Sequence, residues 1–474
     1  MSELKKGLVW SGYSQIIQTV LQLLAVFVLA RLLTPDDFGI LSIVAIFIAI
    51  GNMMVDSGMG GALLRMKNPS SIDFSTLFVF NIVVSLLLYA VFFAGAGYLA
   101  NYYQQPVLKE LLRVLSLSVV FNAMGIVQYV KLVIDLRFKE LAIITFASTI
   151  LSVLLSVVSA VAGAGIWALV VQQLSFSFFY NLMIALKIKY IPVLHFSRNS
   201  FREQKSFGLS VLGANLLNTL SENLNNNIVA KIVPIHQAGH FYQSNRLILT
   251  ADAGVRSVFD KVLFPVFAKV SDPEDLKNSF LDVFKKVVAV VFPLSVLLSL
   301  GSDAVVLILL GPQWSEAGWI FQVLSLTLVP LILITISRNV FKASGHTKSI
   351  LHLEIVRSVL LIGLLFTTAS LGLPFLVWGI LVGLLIVSVV NLAVVSSRLK
   401  IEFIYFVKLL GIIMLPSALA FGATLVMATL FTIGNVLLMF LLKSLIFVVL
   451  LIAFSKLLRQ YELVELVKVF IKKA

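Results

Sequence analysis

The chain has no cysteine among its 474 residues. Disulfides, thiolate metal sites and cysteine nucleophiles are therefore excluded. Charge is also scarce: Asp, Glu, Lys and Arg make up 12% of the chain, against ~25% in an ordinary soluble protein. The five histidines (His195, His236, His240, His346 and His352) are scattered and have no acid spaced to join them at a metal, so no metal site is expected. No Gly-rich phosphate loop of the Walker kind occurs, which argues against ATP as the driving force. No cofactor is expected.

What the chain has in excess is hydrocarbon. Hydrophobic residues make up 60% of it, and its mean hydropathy is +1.05. A membrane helix needs ~20 apolar residues. Apolar runs bounded by charges, Gly and Pro predict about fourteen such helices. The fold class expected is an all-α polytopic membrane protein. Six spans (8–33, 38–64, 74–100, 108–130, 141–162, 166–188) form an N-lobe, residues 1–189. A polar cytoplasmic loop covers 190–205. Six more (206–233, 239–270, 277–300, 317–342, 349–371, 374–397) form a C-lobe, residues 206–398. Two further spans, 403–431 and 435–458, occupy residues 399–458. The tail, 459–474, is too charged to cross and reads as an interfacial helix. Lys5 and Lys6 precede an apolar stretch longer than a signal peptide and without a small-residue cleavage pattern, so an uncleaved first helix is expected. Little sequence remains for a soluble catalytic domain, and an enzyme is not expected.

The net charge of +14 would suggest nucleic acid in a soluble protein. Here its distribution gives another reading. Of the 36 Lys and Arg, 29 fall on the side that carries both termini, four on the other, and three (Arg246, Arg357, Lys443) inside spans. By the positive-inside rule both termini are cytoplasmic, with membrane lipids rather than nucleic acid as surroundings.

The lobes repeat. Ala30-Arg31 leads to Gly39, and Ala230-Lys231 leads to Gly239, an offset of 200. Val114-Leu-Ser-Leu-Ser118 recurs as Val323-Leu-Ser-Leu-Thr327, an offset of 209. Such a parallel repeat predicts two pseudo-symmetric six-helix lobes around a central cavity, the architecture of alternating access.

Three stretches carry a family likeness: Val26 to Leu64 with its Pro35-Asp-Asp-Phe-Gly39 turn, Gly165 to Leu174 (GIWALVVQQL), and Leu309 to Gly318 (LLGPQWSEAG). They resemble the polysaccharide-exporter branch (Wzx and colanic-acid exporter group) of the multidrug/oligosaccharidyl-lipid/polysaccharide flippase superfamily. The resemblance implies a twelve-helix core plus two peripheral helices. It implies flipping of an undecaprenyl-diphosphate-linked oligosaccharide from the cytoplasmic to the outer leaflet of a bacterial inner membrane, with a polysaccharide polymerase and glycosyltransferases as partners. The alternative is a cation-coupled small-molecule antiporter of the same superfamily. Relatives would carry an Asp late in the seventh helix; here the run is Asn225-Asn226-Asn227.

Polar groups inside spans are costly and mark function. Ser11, Gln15, Gln18 and Gln22 make one helical stripe; Asn215, Asn218, Glu222 and Asn225 make another on the repeat-related helix. Amides both donate and accept, which suits sugar hydroxyls, although they also join packed helices. Arg246, Arg256 and Arg357 are the expected cations for a diphosphate, since a guanidinium holds two phosphate oxygens. Arg256 is in register with Asp252 and Asp260, and Arg357 with Glu354, so ion pairing competes with that role. Asp56, Glu222 and Asp252 are candidates for sodium or proton coupling. Asp56 could equally serve a helix end.

Overall fold

The computed structural model describes residues 20–458, apart from 57, 189, 191–192, 269–271, 345–346 and 432–433, and apart from some side chains within 206–273 and 347–348. Among the described residues there are eighteen α-helices and no strand. The first part runs α1 (Val20–Leu32), α2 (Pro35–Asp56), α3 (Met59–Arg65), α4 (Ser71–Tyr103), α5 (Val107–Leu115), α6 (Leu117–Ile134), α7 (Phe138–Val161), α8 (Trp167–Ile188) and α9 (Arg198–Ile232). The second runs α10 (Ile235–Ala268), α11 (Pro273–Leu300), α12 (Ser302–Leu309), α13 (Ala317–Ser325), α14 (Leu328–Ala343), α15 (Thr347–Ala369), α16 (Leu373–Leu399), α17 (Phe403–Ala428) and α18 (Val436–Leu457). By contacts the chain divides into two compact units, Met1–Tyr242 and Gln243–Ala474, with the boundary inside α10.

Eleven helices among the described residues are long and apolar enough to cross a membrane. Of the fourteen expected spans, the first is described only from Val20, and two others differ in kind. Helix α9 has 35 residues and α10 has 34, more than enough at ~1.5 Å per residue to cross ~30 Å of hydrocarbon. Both are too polar to count as apolar spans: α9 carries six asparagines between Asn215 and Asn227, and α10 carries the run Gln243-Ser-Asn-Arg246. The expected 190–205 loop is also shorter. Ser197 caps α9 by accepting from the Ser200 N–H at 3.4 Å, so the helix starts at Arg198.

Local chemistry sets the other ends. Ser70 and Asp73 form a reciprocal capping box at the start of α4. Gly163 and Gly165 take positive φ (83° and 53°) in the short turn between α7 and α8, and the Ser156 hydroxyl donates across that hairpin to the Ala168 carbonyl at 2.9 Å. In the first unit, Met59, Leu63, Phe74, Leu77, Val127 and Val130 form a core joining α3, α4 and α6. In the second, Leu331, Ile334, Leu384 and Val387 join α14 and α16.

The repeat is visible in each unit separately. The fourth expected span is bent into α5 and α6, and the tenth into α13 and α14. Both bends lie on the repeated Val-Leu-Ser-Leu-Ser/Thr motif. Ser116 and Ser118 donate to the carbonyls of Arg113 and Leu115, at 3.0 and 2.6 Å. Ser325 and Thr327 donate to those of Gln322 and Leu324, at 2.8 and 2.5 Å, so all four pairs match at the offset of 209. Hydroxyl back-bonding of this kind bends a helix.

Candidate functional site

Exposure sorts the helices by position. Outer helices such as α7, α16 and α18 carry many exposed large apolar side chains, among them Leu154, Val158, Phe375, Val389, Leu441 and Leu445. Such faces suit lipid. Helices α2, α10 and α14 carry no exposed large apolar side chain among their described residues. These inner helices, with α9, are where costly polar groups concentrate.

In the first unit, α2 and the start of α10 cross at closest approach. A Cβ at Gly39 would lie 2.2 Å from the Ile235 carbonyl oxygen, and one at Gly239 would lie 1.9 Å from the Pro35 carbonyl oxygen. The two contacts are reciprocal, and the partners in each are related by the 200-residue offset. Near this end, the exposed Lys231 donates to the Tyr102 carbonyl at 2.6 Å and sits 4.0 Å from the Tyr102 ring. That engagement fits an anchoring lysine better than a cation waiting for a phosphate. Asn227 bridges the same region: its amide donates to the Ser42 carbonyl at 3.5 Å and its oxygen accepts from Tyr103 at 3.3 Å. It joins α9 to α2 and α4 as packing glue.

A chain of amides was not anticipated from the sequence. Asn181 of α8 donates to Asn122 of α6 at 3.1 Å, and Asn122 donates to Asn52 of α2 at 2.8 Å. Their positions, 52, 122 and 181, share no helical spacing, so no pattern along the chain connects them. At the opposite end of this unit, Ser200 donates to Asp73 at 2.5 Å and the Gln204 amide donates to Ser200 at 2.8 Å, tying the start of α9 to the start of α4.

The second unit holds the arginines. Arg256 pairs with Asp252, whose carboxylate is fully buried. The second oxygen of Asp252 has no hydrogen-bond partner among the described residues. The alternative pairing with Asp260 involves a side chain outside the described residues. Arg357, buried, donates to Glu354 at 3.4 Å, and Arg338 of α14 pairs with the same carboxylate, so two guanidinium groups share one acid. Arg338 stands near the end of its span, where basic residues are ordinary, so its position in the sequence does not mark it. Arg246 is half-buried on α10, and its guanidinium makes no ion pair or hydrogen bond among the described residues. Its backbone carbonyl accepts from Thr250.

The expected polar stripes are only partly described. Gln15 and Gln18 lie outside the described residues, as do the side chains of Asn215, Asn218 and Glu222; Gln22 is exposed on α1 and Asn225 half-buried on α9. Asp56 is exposed at the end of α2. No group of His, Cys, Asp and Glu able to hold a metal occurs among the described residues.

Comparison with known proteins places this geometry. A family model described as polysaccharide biosynthesis protein matches residues 28–319, more than half of the chain. The chain is 23% identical to the teichuronic acid biosynthesis protein TuaB of Bacillus subtilis over 73% of this chain and 72% of that one. It is 25% identical to the lipopolysaccharide biosynthesis protein WzxC of Escherichia coli over 67% of this chain and 65% of that one. Among solved structures, the lipid II flippase MurJ in an inward closed conformation superposes with a TM-score of 0.75 at 16% identity, over 95% of this chain and 98% of that one. An inward-facing multidrug MATE transporter of the MOP superfamily gives 0.64 at 16% identity, over 81% and 94%. The chain therefore belongs to the polysaccharide biosynthesis protein family, and it is a polytopic membrane protein with the fold of the MOP transporters.

Proposed function

We propose that the protein flips an undecaprenyl-diphosphate-linked oligosaccharide from the cytoplasmic to the outer leaflet of a bacterial inner membrane by alternating access, with both termini cytoplasmic. The observation that carries this reading is Arg246. A bare charge at the centre of a membrane helix costs ~2.5–3.5 kcal/mol on insertion scales. Arg246 makes no ion pair among the described residues, yet it sits on an inner helix of membrane length. A guanidinium kept in such a place at that cost suits an anion brought by the substrate, and its planar fork matches two diphosphate oxygens.

The relatives support the choice of cargo, since TuaB is named for teichuronic acid biosynthesis and WzxC for lipopolysaccharide biosynthesis. A drug-cation antiporter would instead need a carboxylate ready for the cation. In the second unit Asp252 and Glu354 already hold arginines. Coupling to a proton or sodium ion is assigned to Asp252. Its buried carboxylate has one oxygen on Arg256 and one without a hydrogen-bond partner, so a phosphate drawing Arg256 away would leave an acid ready to take a cation. Polymerase and glycosyltransferases are the proposed working partners.

The test is transport of an undecaprenyl-diphosphate glycan into inside-out vesicles. Arg246→Gln should abolish it with unchanged protein abundance. Arg246→Lys should restore part of it, because a point charge lacks the fork. Full transport by Arg246→Gln refutes the diphosphate role.

A further inference from the structure

The asparagine chain has a direction. Asn181 donates at 2.7 Å to the Ser177 backbone carbonyl, which can only accept, so the amide orientation of Asn181 is set by its own helix. Its nitrogen also reaches the Asn122 oxygen, which leaves the Asn122 nitrogen to donate to the Asn52 oxygen. The polarity passes outward, and Asn52 ends the chain with its amide nitrogen turned away from Asn122. That nitrogen has no hydrogen-bond partner among the described residues, and Asn52 is half-buried on α2, an inner helix. Gly125 makes the chain possible, because a Cβ there would lie 1.7 Å from the Asn181 amide oxygen. The open end is thus a held N–H donor.

Asp56 lies one turn further along the same face of α2. It is exposed and makes no hydrogen bond or ion pair among the described residues. Tyr129 of α6 lies seven residues past Asn122 on the same face of that helix, with its side chain exposed, and its neighbour Val130 packs at Gly60 beside Asp56: a Cβ at Gly60 would lie 3.3 Å from Val130 Cγ2 and 3.6 Å from Asp56 Oδ1. A held donor, a free acceptor and an exposed aromatic ring lie toward the same, C-terminal end of α2 and α6. Vicinal sugar hydroxyls both donate and accept, and the apolar face of a sugar ring packs on an aromatic ring. An N–H end is wrong for a metal cation, and a carboxylate one turn away is wrong for a phosphate. The repeat sharpens the contrast. At the 200-residue offset, Val55, Asp56 and Ser57 correspond to Val255, Arg256 and Ser257, and Asn52 to Asp252. At the 209-residue offset, Tyr129 corresponds to Arg338. Asp56 and Tyr129 thus stand where the second half has the guanidinium groups of Arg256 and Arg338, and Asn52 stands where it has the acid that pairs with Arg256.

We propose that Asn52, Asp56 and Tyr129 form a subsite for a neutral sugar of the transported head group, with the Asn52 amide donating to one hydroxyl oxygen, Asp56 accepting from the next, and the Tyr129 ring covering the sugar face. Asn122 and Asn181 are positioning residues that hold the Asn52 donor. The subsite deepens the flippase reading and rests on it for the identity of the cargo.

The test uses the full chain in lipid nanodiscs and three probes: a polyprenyl diphosphate bearing one neutral hexose, the same lipid without sugar, and a soluble neutral hexose tetrasaccharide. Wild type should bind the hexose-bearing lipid more tightly than the bare one. Asn52→Leu should reduce that preference by about 3- to 10-fold, the worth of one hydrogen bond, and leave the bare lipid unaffected. Asp56→Asn, at an exposed helix end, serves as the second variant should Asn52→Leu fail to fold, and it should also reduce the preference. Asn122→Leu should give a smaller loss that Asn122→Gln partly restores. Equal losses for both lipids, or none in either variant, overturn the subsite. If wild type binds neither lipid, the flippase reading falls, and the tetrasaccharide decides the subsite alone: saturation transfer from protein to sugar that is lost in Asn52→Leu sustains it, and its absence in wild type refutes it.

Discussion

Gly239→Ala adds one methyl group where the protein has no room for it. The new carbon would lie 1.9 Å from the Pro35 carbonyl oxygen, 2.7 Å from the Pro35 carbonyl carbon and 3.1 Å from its Cα. A carbon and an oxygen rest at ~3.3 Å or beyond, so α2 and α10 must part by more than about 1 Å. The obstacle is backbone, which cannot rotate aside as a side chain can. Overpacking of this kind costs ~1–3 kcal/mol. Gly39→Ala meets the Ile235 oxygen at 2.2 Å and should cost about as much. Both changes strain one crossing, and separation forced by the first relieves the second. The double variant should therefore lose clearly less than the sum of the singles. Gly254 of α10 is the control, since a Cβ there meets nothing within 4 Å, and alanine is the better helix former by up to ~1 kcal/mol. The five tryptophans make thermal unfolding readable by intrinsic fluorescence. A Gly239→Ala protein as stable as Gly254→Ala, or singles that simply add, would refute the reciprocal crossing.

Glu354→Gln should destabilise the second unit by on the order of 3 kcal/mol, because it leaves the Arg338 and Arg357 guanidinium groups without their shared carboxylate; unfolding in denaturant measures it, and unchanged stability defeats the pairing. Asp73→Ala should cost ~1–2 kcal/mol, since it removes both the α4 capping box and the acceptor of Ser200, and it should speed proteolysis between α8 and α9. Single cysteines at Gly434 and at Asn199, both exposed, should react with an impermeant maleimide from the periplasm at 434 and not at 199, against no native cysteine background. Periplasmic labelling at 199 would reverse the orientation.

Much of the architecture was legible because the bilayer imposes it. Long apolar runs had to become helices, and the glycines at 163, 165 and 372 had to be turns, where they take positive φ. The repeated Val-Leu-Ser-Leu motif was legible as a repeat but not as a bend: its hydroxyls bond back to carbonyls three residues earlier, a choice hydropathy does not report. The extent of α9 was misread for a related reason. A polar stretch between spans looks like a loop, yet Ser197 caps it and Ser200 and Gln204 bind Asp73, so it continues the helix. Among site residues, pairs four apart on one helix could be read, as with Asp252 and Arg256. Arg338 with Glu354, and Asn52 with Asn122 and Asn181, meet only through packing of different helices, and no spacing along the chain encodes that.

A fold shared with a lipid flippase and with drug exporters leaves the cargo to be decided by side chains. An exporter of cations needs acids that are free to release what they hold. In the second unit Asp252 and Glu354 are already bound to guanidinium groups, and stripping a buried pair of one member costs several kcal/mol unless an equivalent charge replaces it. A diphosphate can replace the carboxylate on an arginine; a drug cation can do so only by displacing the arginine itself. On the flippase reading proposed above, the diphosphate takes the carboxylate's place on the guanidinium, so the buried charge keeps a partner. Asp56, an acid without an ion pair among the described residues, stands one turn from the held amide donor of Asn52, where a hydroxyl satisfies both groups and a bare cation would face an N–H. Within the second unit the acids are occupied by guanidinium groups, and within the first the groups at Asn52, Asp56 and Tyr129 suit a hydroxyl, so each unit by itself argues against a drug cation as the cargo.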